Sequence, residues 1–349
     1  MKAIQIRGPH DITFGEVSQP EPGSGEVLVW VRSTGICGTD VEIVEGTMPY
    51  YTQGMAHYPI IPGHEWAGEV AALGTGVSHF AVGDRVVGEC SVGCGHCATC
   101  LAGNYHQCPD RRETGILNLN GGFAEFMTFP ALFLHRVADD LPFATACLVE
   151  PCAVAFNGVR RTQITPQDFV AIFGDGPIGL LTLQMARAFG ASRVAVVGAT
   201  DHRLAKAAEL GADAVIDVRS EDVAESLRRL GGGRLPDAVI EATGNPAAAE
   251  QAVQVVRPGG RLTLLGIFGG RKASLDLDKL VIGDITLRGA LGSPGVWSDV
   301  IRLIEAGRVD PTAIVSHQME LADFSRGIEM VQGRADGVVK IVLTQSGNS

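Results

Sequence analysis

The sequence predicts an α/β fold in which a β-rich unit accompanies a doubly wound parallel sheet. From about residue 167 onward, apolar strand-like runs alternate with glycine turns and helical stretches, as successive βαβ units require. The first 150 residues instead contain short strand-like segments separated by glycine and proline turns. Because 349 residues are too many for a single hydrophobic core, we expect two domains.

The doubly wound part is predicted from its apolar runs and from the amphipathic stretches between them. We predict strands at Phe169–Gly174, Arg193–Gly198, Ala238–Ala242 and Arg261–Gly266, and helices at Ile178–Phe189 and His202–Leu210. The alternation stops after Arg288, and the remaining tail is mixed. We expect the tail to return to the first unit, which gives domains at 1–153, 154–290 and 291–349.

Composition limits the partners that the chain is expected to bind. Lys and Arg total 28 against 39 Asp and Glu, a formal charge of −11, and the sequence contains no basic run. A polyanion such as nucleic acid, or an anionic membrane surface, would be repelled. No apolar stretch has the length of a signal peptide or a membrane span, so we expect a cytoplasmic protein with neither nucleic-acid nor membrane partners.

Four thiols crowd one short segment of the β-rich part. Cys94, Cys97, Cys100 and Cys108 follow a C-x2-C-x2-C-x7-C spacing that fits one tetrahedral metal ion. Four thiolates leave no open coordination position, which is typical of structural zinc. Disulfides are the main alternative, but cysteines three apart pair poorly and nothing marks the chain as secreted. Any chemistry must therefore use other residues.

A glycine-rich turn lies where the doubly wound part begins. Residues 174–179 match G-x-G-x-x-G, with an apolar strand before the turn and an amphipathic helix after it. Glycines let the backbone approach a pyrophosphate, which the N–H groups at the helix N-terminus then stabilise. We therefore predict a nicotinamide dinucleotide site that includes Gly174, Gly176, Pro177, Ile178, Gly179, Gly198, Thr200, Arg203, Thr243 and Gly266.

The end of the second strand bears on the choice of coenzyme. An NAD enzyme usually places an acidic residue there for the ribose 2′-hydroxyl, whereas this sequence has Gly198. Without that carboxylate a 2′-phosphate is not repelled, and Thr200, His202 and Arg203 are potential donors to it. The sequence thus favours NADP. Two alternatives stay open: Asp201 could reach the ribose if the strand ended later, and Arg203 could simply cover the helix surface.

A second group of potential metal ligands is spread along the first 150 residues. Cys37 lies in a glycine-flanked segment, His64 and Glu65 are adjacent, and Glu150 precedes a proline. Together with the four cysteines and the glycine turn, they have the order and spacing of the zinc-dependent medium-chain alcohol dehydrogenase family, which the chain resembles over nearly its whole length. Glu150 stands where alcohol dehydrogenase has its second zinc cysteine. In this respect the chain is similar to the sorbitol and threonine dehydrogenase branch.

The resemblance implies a GroES-like β-rich catalytic domain plus a Rossmann nucleotide domain. It also implies two zinc ions per chain, with a catalytic zinc held by Cys37, His64 and either Glu65 or Glu150. Which glutamate binds directly stays open. Thr39 matches the hydroxyl that passes the alcohol proton outward in the family, although a turn hydroxyl bonded to its own backbone is the alternative.

Candidate substrate contacts also follow from the resemblance. Glu42 stands where many relatives carry a relay histidine, and we expect it to contact a substrate hydroxyl or amine; a proton acceptor or a solvated acid are the alternatives. Asn118 and Asn120 fall where relatives line the substrate cleft, although loop asparagines commonly form turns. Trp297 is expected to wall the cleft or to form a subunit contact.

These features together predict a zinc- and NAD(P)-dependent dehydrogenase that acts on a secondary alcohol of a polyol, sugar, aminocyclitol or amino sugar. An L-threonine 3-dehydrogenase-like enzyme is the alternative within the same class. From another class, a non-catalytic nucleotide-binding redox sensor or structural protein would not need Cys37, Thr39, His64 and Glu150 together. The family leads us to expect a homodimer or homotetramer formed through the last strand, near 285–291.

Overall fold

A computed structural model describes residues 1–345 of the chain, and residues 1–150 of it form the larger part of one compact unit. Its short strands and helices follow the turn-rich sequence. They are β1 Lys2–Gly8, β2 Asp11–Glu16, β3 Glu26–Ile36, α1 Gly38–Glu45, α2 Pro49–Thr52, β4 Glu65–Leu73, β5 Arg85–Gly88, β6 Ser91–Val92, α3 Ala98–Leu101, β7 Arg112–Thr114, β8 Asn118–Leu119, β9 Phe126–Pro130, β10 Leu134–Arg136, α4 Phe143–Ala146 and α5 Val149–Thr162.

The second unit contains residues 151–291 and alternates strands with helices throughout. The elements are β11 Phe169–Phe173, α6 Pro177–Ala188, β12 Arg193–Gly198, α7 Asp201–Glu209, β13 Ala214–Asp217, α8 Val223–Leu230, β14 Ala238–Glu241, α9 Pro246–Val255, β15 Arg261–Leu264, α10 Leu277–Ile282 and β16 Thr286–Gly289. All neighbouring strands are parallel, in the order β13-β12-β11-β14-β15-β16. This is the doubly wound arrangement that the sequence predicts, so the fold class is confirmed.

The end of the chain returns to the first unit, as α11 Trp297–Glu305, β17 Val315–Glu320, α12 Phe324–Gly333 and β18 Lys340–Thr344. The predicted continuous return over 291–349 is wrong at one point, because residues 307–314 group with the second unit. The amide of Gln184 on α6 exchanges two hydrogen bonds with the backbone of Asp310, at 3.0 and 2.9 Å, which fastens this segment to α6.

The main sheet of the first unit brings distant parts of the chain together. Its strand order is β10-β5-β4-β3-β18-β17, and β9 also pairs with β3. Strand β3 is antiparallel to both β4 and β18, with Gly35 opposite Glu65 and Ile36 opposite Ile341. The C-terminal end of β3 therefore lies beside the starts of both neighbours. This register places the residues after β3, before β4 and at the start of β18 at one end of the sheet.

An apolar core holds that end of the sheet in place. Ile36, Ile43, Phe324 and Ile341 are buried together, and the Phe123 and Phe324 rings lie 4.8 Å apart. Burial of such side chains contributes about 1.5–3 kcal/mol each. Within residues 1–345, no helix combines the length and the apolar character needed to cross a membrane.

Candidate functional site

Three of the predicted zinc ligands converge at the strand ends of the main sheet. One ligand atom from each of Cys37, His64 and Glu65 lies within 4.8 Å of the other two. Cys37 directly follows β3 and forms the N-cap of α1, where its N–H donates to Asp40 Oδ2 at 2.8 Å. His64 and Glu65 stand at the start of β4. The sheet register thus brings a thiol, an imidazole and a carboxylate to one point.

Polar atoms around this point fit a metal ion. Glu65 Oε2 is buried and has no hydrogen-bond partner within residues 1–345, an arrangement that costs about 1–3 kcal/mol unless a ligand uses the atom. His64 Nδ1 faces Asp40 Oδ1 at 3.8 Å, and both side chains are almost fully buried. A carboxylate behind a histidine commonly orients the ring of a metal ligand. The set of donors, one sulfur, one nitrogen and one oxygen, is suited to zinc.

The charges around His64 favour a bound cation. Burial lowers the pKa of His64, but the charges of Cys37, Asp40 and Glu150, with a hydrogen bond to Cys37, outweigh it and raise that pKa well above its usual range. The imidazole is therefore surrounded by more negative than positive charge. A divalent cation bound between Cys37, His64 and Glu65 would balance that excess.

Lys340, which the sequence analysis missed, faces the same site from β18. Its ammonium group is 2% exposed and lies 2.5 Å from Glu65 Oε1, and it also donates to the Ile36 carbonyl at 2.9 Å. Burial opposes its charge, but Glu65 and other nearby anions raise the pKa of Lys340 overall. The ion pair fixes one oxygen of Glu65 and leaves the other free. A lysine inside the apolar run 338–343 was the signal in the sequence.

Glu150 lies close to this group but outside it. It is buried in the first turn of α5, and burial raises the pKa of its carboxyl group, with Glu65 adding to the effect and His64 opposing it. The three-ligand group contains Glu65 rather than Glu150. Of the two glutamates that the sequence left open, the geometry favours Glu65 as the one beside Cys37 and His64.

Two further predicted residues lie on α1. Thr39 Oγ1 is 4.0 Å from Cys37 Sγ, so its hydroxyl borders the metal-ligand group. Glu42 is half-buried one turn later, and its backbone carbonyl accepts hydrogen bonds from Thr47 and Met48 at the end of the helix. The roles of both side chains stay predictions.

A charged cluster near His64 was also missed. Arg111 Nε lies 3.0 Å from Glu113 Oε1, and the Tyr50 hydroxyl group lies 2.9 Å from Arg111 Nη2 and 3.4 Å from Glu113 Oε1. Burial raises the pKa of Glu113, while the charges of Arg111 and His64 oppose that effect. Glu113 is therefore within electrostatic reach of the proposed metal site. The segment Arg111–Glu113 has the composition of a surface loop, so its sequence gave no signal.

The expectation for Trp297 is wrong. Its side chain is 1% exposed, its ring stacks on His135 with centroids 5.6 Å apart, and its indole N–H donates to Ser293 Oγ at 3.1 Å. It is a core residue that packs the returning helix α11 onto the first unit. Neither a cleft wall nor a subunit contact is compatible with that burial.

Both predicted asparagines make contacts that order loops. Asn118, at a left-handed φ of 53°, donates from its side chain to the Met55 carbonyl at 3.2 Å. Asn120 accepts from the Ile61 N–H at 3.0 Å, three residues before His64. Both contacts join loops that are distant in the sequence, and a substrate contact stays a prediction.

The four-cysteine loop has the geometry of a tetrahedral thiolate site. The sulfur atoms of Cys94 and Cys100 are 3.9 Å apart, and those of Cys97 and Cys108 are 3.8 Å apart. Zn–S bonds of about 2.3 Å in a tetrahedron require S···S distances of about 3.8 Å, far longer than a disulfide bond. Backbone N–H groups point at the sulfurs and lower the pKa values of Cys94 and Cys97. The loop is therefore already arranged for one zinc ion.

The glycine turn lies at the end of β11, beside the point where the strand order reverses between β11 and β14. Gly174 has a left-handed φ of 130°, which favours glycine, and a Cβ at Gly179 would lie 1.9 Å from the Gly174 carbonyl oxygen. Gly176 is the N-cap of α6 and Pro177 its first residue, with Ile178 following in the first turn. The helix therefore begins directly at the turn, and no side chain within residues 1–345 caps it.

The other predicted nucleotide contacts surround this turn. Thr243, after β14, is 3.2 Å from the position that a Gly174 Cβ would take, and Gly266 packs against the backbone of Gly244. Arg203 on α7 is buried, and its Nη1 is 4.0 Å from the corresponding position at Gly176. Arg203 thus reaches the glycine turn rather than only covering the helix surface.

A carboxylate lies at the end of β12 after all. Asp175 Oδ2 accepts hydrogen bonds from the N–H groups of Ala199 and Thr200, at 2.9 and 2.7 Å. It lies 2.5 Å from where a Cβ at Gly198 would be. The sequence favoured NADP because Gly198 has no carboxylate. In the structure the Asp175 carboxylate lies at this strand end, so that reason no longer holds.

Family models account for both units. An alcohol dehydrogenase GroES-like domain matches residues 23–139, and a zinc-binding dehydrogenase domain matches residues 177–306. The chain belongs to the zinc-dependent medium-chain alcohol dehydrogenase family, in the branch that includes the sorbitol and threonine dehydrogenases. The resemblance read from its motifs is confirmed.

Named relatives match along their whole length. Sorbitol dehydrogenase of Bacillus subtilis strain 168 is 32% identical over 98% of this chain and 97% of its own. Erythritol/L-threitol dehydrogenase of Mycolicibacterium smegmatis is 33% identical, over 97% and 96%. L-threonine 3-dehydrogenase of Bacillus velezensis is 34% identical, over 98% and 99%. The relatives therefore include both polyol and amino acid dehydrogenases.

Solved structures of similar proteins contain either coenzyme. An alcohol dehydrogenase from Escherichia coli CFT073, in complex with NADH, superposes with a TM-score of 0.92 at 29% identity, and the match covers 99% of both chains. A zinc-binding dehydrogenase from Sinorhizobium meliloti 1021, bound to NADP, has a TM-score of 0.91 at 30% identity, with 98% of both chains covered. Family membership therefore does not decide between the two coenzymes.

Replacing Lys340 with methionine should strongly destabilise the first unit. The change leaves the Glu65 carboxylate buried without its cation, and breaking a buried ion pair costs about 3–5 kcal/mol. Urea denaturation followed by circular dichroism measures the loss. Lys272→Met, at an exposed lysine, is the control and should change stability by no more than about 0.5 kcal/mol. Equal effects of the two substitutions would show that the Lys340–Glu65 pair is not important for stability.

Cys97→Ser should release one zinc ion and lower the thermal midpoint, because a three-thiolate loop holds zinc less firmly and the loop depends on the metal. Turnover per folded molecule that retains the zinc ion at Cys37 should stay near that of the wild type, since the four cysteines and the Cys37 group are separate sets of ligands. Thr99→Ser, in the same loop, should retain the metal. Metal analysis with thermal denaturation tests this, and loss of turnover without loss of stability would contradict it.

Proposed function

We propose that the protein is a zinc-dependent dehydrogenase that transfers hydride between a secondary alcohol and NAD or NADP. The alcohol belongs to a small polar molecule: a polyol, sugar, aminocyclitol or amino sugar. The observation that carries this proposal is the convergence of Cys37, His64 and Glu65 at one end of the main sheet. Three protein donors of mixed type are the pattern of a catalytic zinc, which keeps a further position open.

Each residue of the proposed zinc site has a separate task. Cys37, His64 and Glu65 hold the ion, with Glu150 as the nearby second carboxylate. Bound zinc supplies a Lewis acid that lowers the pKa of the substrate hydroxyl group towards neutrality. Asp40 Oδ1 lies 3.8 Å from His64 Nδ1, and Lys340 binds Glu65 Oε1 and leaves Oε2 available to the ion. The four cysteines hold the second, structural zinc, which gives two ions per chain.

Thr39 is proposed to accept the proton that leaves the substrate hydroxyl. Its Oγ1 lies 4.0 Å from Cys37 Sγ, on the first turn of α1 and therefore at the edge of the ligand group. A hydroxyl group can accept one proton while donating its own onward. Glu42, half-buried one turn later on α1, is proposed to contact a hydroxyl or amine of the substrate.

The second unit supplies the coenzyme site. Gly174 and Gly176 leave room for a pyrophosphate beside the backbone, and the free N–H groups at the start of α6 face it. Bound nicotinamide supplies the hydride acceptor. Thr243, Gly266 and Arg203 complete the surroundings of the turn.

The charged cluster beside His64 supports a polar substrate. Buried Glu113 accepts a hydrogen bond from the Tyr50 hydroxyl group, and the Arg111 guanidinium group lies next to it. Several relatives act on polyols, namely sorbitol and erythritol or L-threitol. The same cluster is also the observation that favours the second candidate, an L-threonine 3-dehydrogenase, because Glu113 and Arg111 match an ammonium group and a carboxylate.

Assembly and location are proposed on separate grounds. Strand β16 is at one edge of the parallel sheet, and the neighbouring helix α10 exposes Leu277, Val281 and Ile282 at 67%, 79% and 84%. An uncovered strand edge beside apolar side chains favours pairing with a second copy of this chain, as a homodimer or homotetramer. No disulfide joins any of the eight cysteines within residues 1–345, which favours the reducing cytoplasm.

Purified protein should contain about two zinc ions per chain and should reduce NAD or NADP in the presence of its alcohol. The panel comprises polyols, sugars, amino sugars, aminocyclitols and L-threonine, each with both coenzymes. Turnover with a polyol or sugar, and none with L-threonine, is the expected result. A preference for L-threonine would select the second candidate. One zinc per chain and no turnover with any alcohol would favour a non-catalytic nucleotide-binding protein instead.

Thr39→Val should lower kcat by about 10²–10⁴, because it removes the proposed proton acceptor while keeping the shape of the side chain. Thr39→Ser keeps the hydroxyl group and is the matched control, with kcat close to that of the wild type. Zinc content should be unchanged in both variants, which separates proton transfer from metal binding. If the valine variant is as active as the serine variant, Thr39 does not carry the proton.

A further inference from the structure

Asp175 occupies an unusual place for the second residue of a glycine turn. Its side chain crosses from the turn to the end of β12, where Oδ2 accepts from two successive backbone N–H groups, those of Ala199 and Thr200. At Gly198 a Cβ atom would come within 2.5–2.7 Å of three atoms of the Asp175 side chain. The absence of a side chain at Gly198 is therefore what makes room for the Asp175 carboxylate.

The end of β12 is where a dinucleotide fold reads the adenosine ribose. In such folds an acidic residue at the end of the second strand of the sheet accepts a hydrogen bond from the ribose 2′-hydroxyl group. Strand β12 is that second strand, and Gly198 is its last residue. Here the carboxylate comes from the glycine turn instead of from the strand.

We infer that Asp175 takes over the role of the strand-end acid and makes this chain select NAD over NADP. The inference rests on the proposed function, since it concerns the coenzyme of that reaction. A 2′-phosphate would carry negative charge towards the carboxylate, and at short range such repulsion is substantial. The Ala199 and Thr200 N–H groups, which would otherwise be donors for a phosphate, are already bonded to Asp175.

Nearby cations do not reverse this charge balance. The Arg219 guanidinium group is paired with both Asp217 and Asp201, so its charge is already matched by two carboxylates. Arg203 reaches Gly176 in the glycine turn, where a pyrophosphate would bind. The acids at this end of the sheet are therefore three, Asp175, Asp201 and Asp217, against two arginines, Arg203 and Arg219.

The test is the binding of NADH and NADPH to the purified, zinc-loaded protein, measured by fluorescence titration without any alcohol substrate. The wild type should bind NADH at least about tenfold more tightly than NADPH, which corresponds to about 1.4 kcal/mol. Asp175→Ala should remove most of that preference by tightening NADPH binding, because the repulsion is lost and two N–H donors become free. Asp175→Asn keeps the shape of the side chain and loses its charge. It should shift the ratio of NADH affinity to NADPH affinity in the same direction. Asp278→Asn, at an exposed acid on α10, is the control and should leave the ratio unchanged.

A double variant that moves the carboxylate from the turn to the strand distinguishes an effect of its charge from a structural effect on the turn. Asp175→Gly combined with Gly198→Asp also removes the Asp175 Cβ, which would lie 2.6 Å from a Cβ at position 198. This variant returns a carboxylate to the site from the strand and should restore the preference for NADH. Tighter binding of NADPH than NADH by the wild type, or an NADH:NADPH ratio that Asp175→Ala and Asp175→Asn both leave unchanged, would overturn the inference while leaving the dehydrogenase intact. Failure of the folded, zinc-loaded wild type to bind either coenzyme would overturn the proposed function together with the inference.

Discussion

The candidate active site depends on the register of one strand with its two neighbours. Because β3 is antiparallel to both β4 and β18, the residue after β3, the residues that begin β4 and the first residue of β18 all lie at one end of the sheet. Those positions are occupied by Cys37, by His64 with Glu65, and by Lys340. Cys37 and Lys340 are 303 positions apart in the sequence (340 − 37). A slip of one residue would turn each side chain to the opposite face and disperse the group.

Electrostatics then determines what that end of the sheet can bind. The half-buried thiol of Cys37 lies beside a buried imidazole and buried carboxylates, and the Lys340 ammonium group faces Glu65 from within the sheet. Lys340 compensates one oxygen of Glu65 only, so negative charge remains around His64. A divalent cation would balance this negative charge. The stability of this end of the sheet and the proposed chemistry would then depend on the same ion.

Local motifs could be predicted from the sequence, whereas pairings across the fold could not. The four cysteines and the glycine turn are each contained in fifteen residues or fewer, so spacing alone indicates their geometry. The partners of Lys340, Arg111, Glu113 and Asp175 depend on which strands and loops become neighbours. The lysine within the apolar run 338–343 indicates a buried cation, but no local pattern indicates which residues it faces. Trp297 shows the opposite error: the resemblance implied a cleft wall or a subunit contact, but the fold buries the side chain against His135.

The most direct test of the account is anomalous diffraction at the zinc absorption edge from crystals of the wild-type protein. The account predicts two peaks for each chain, one between the side chains of Cys37, His64 and Glu65 and the other among the four cysteines. A single peak at the cysteines, with Lys340 and Glu65 still paired, would contradict it, because the convergence of the strand ends would then serve the fold and not a catalytic metal.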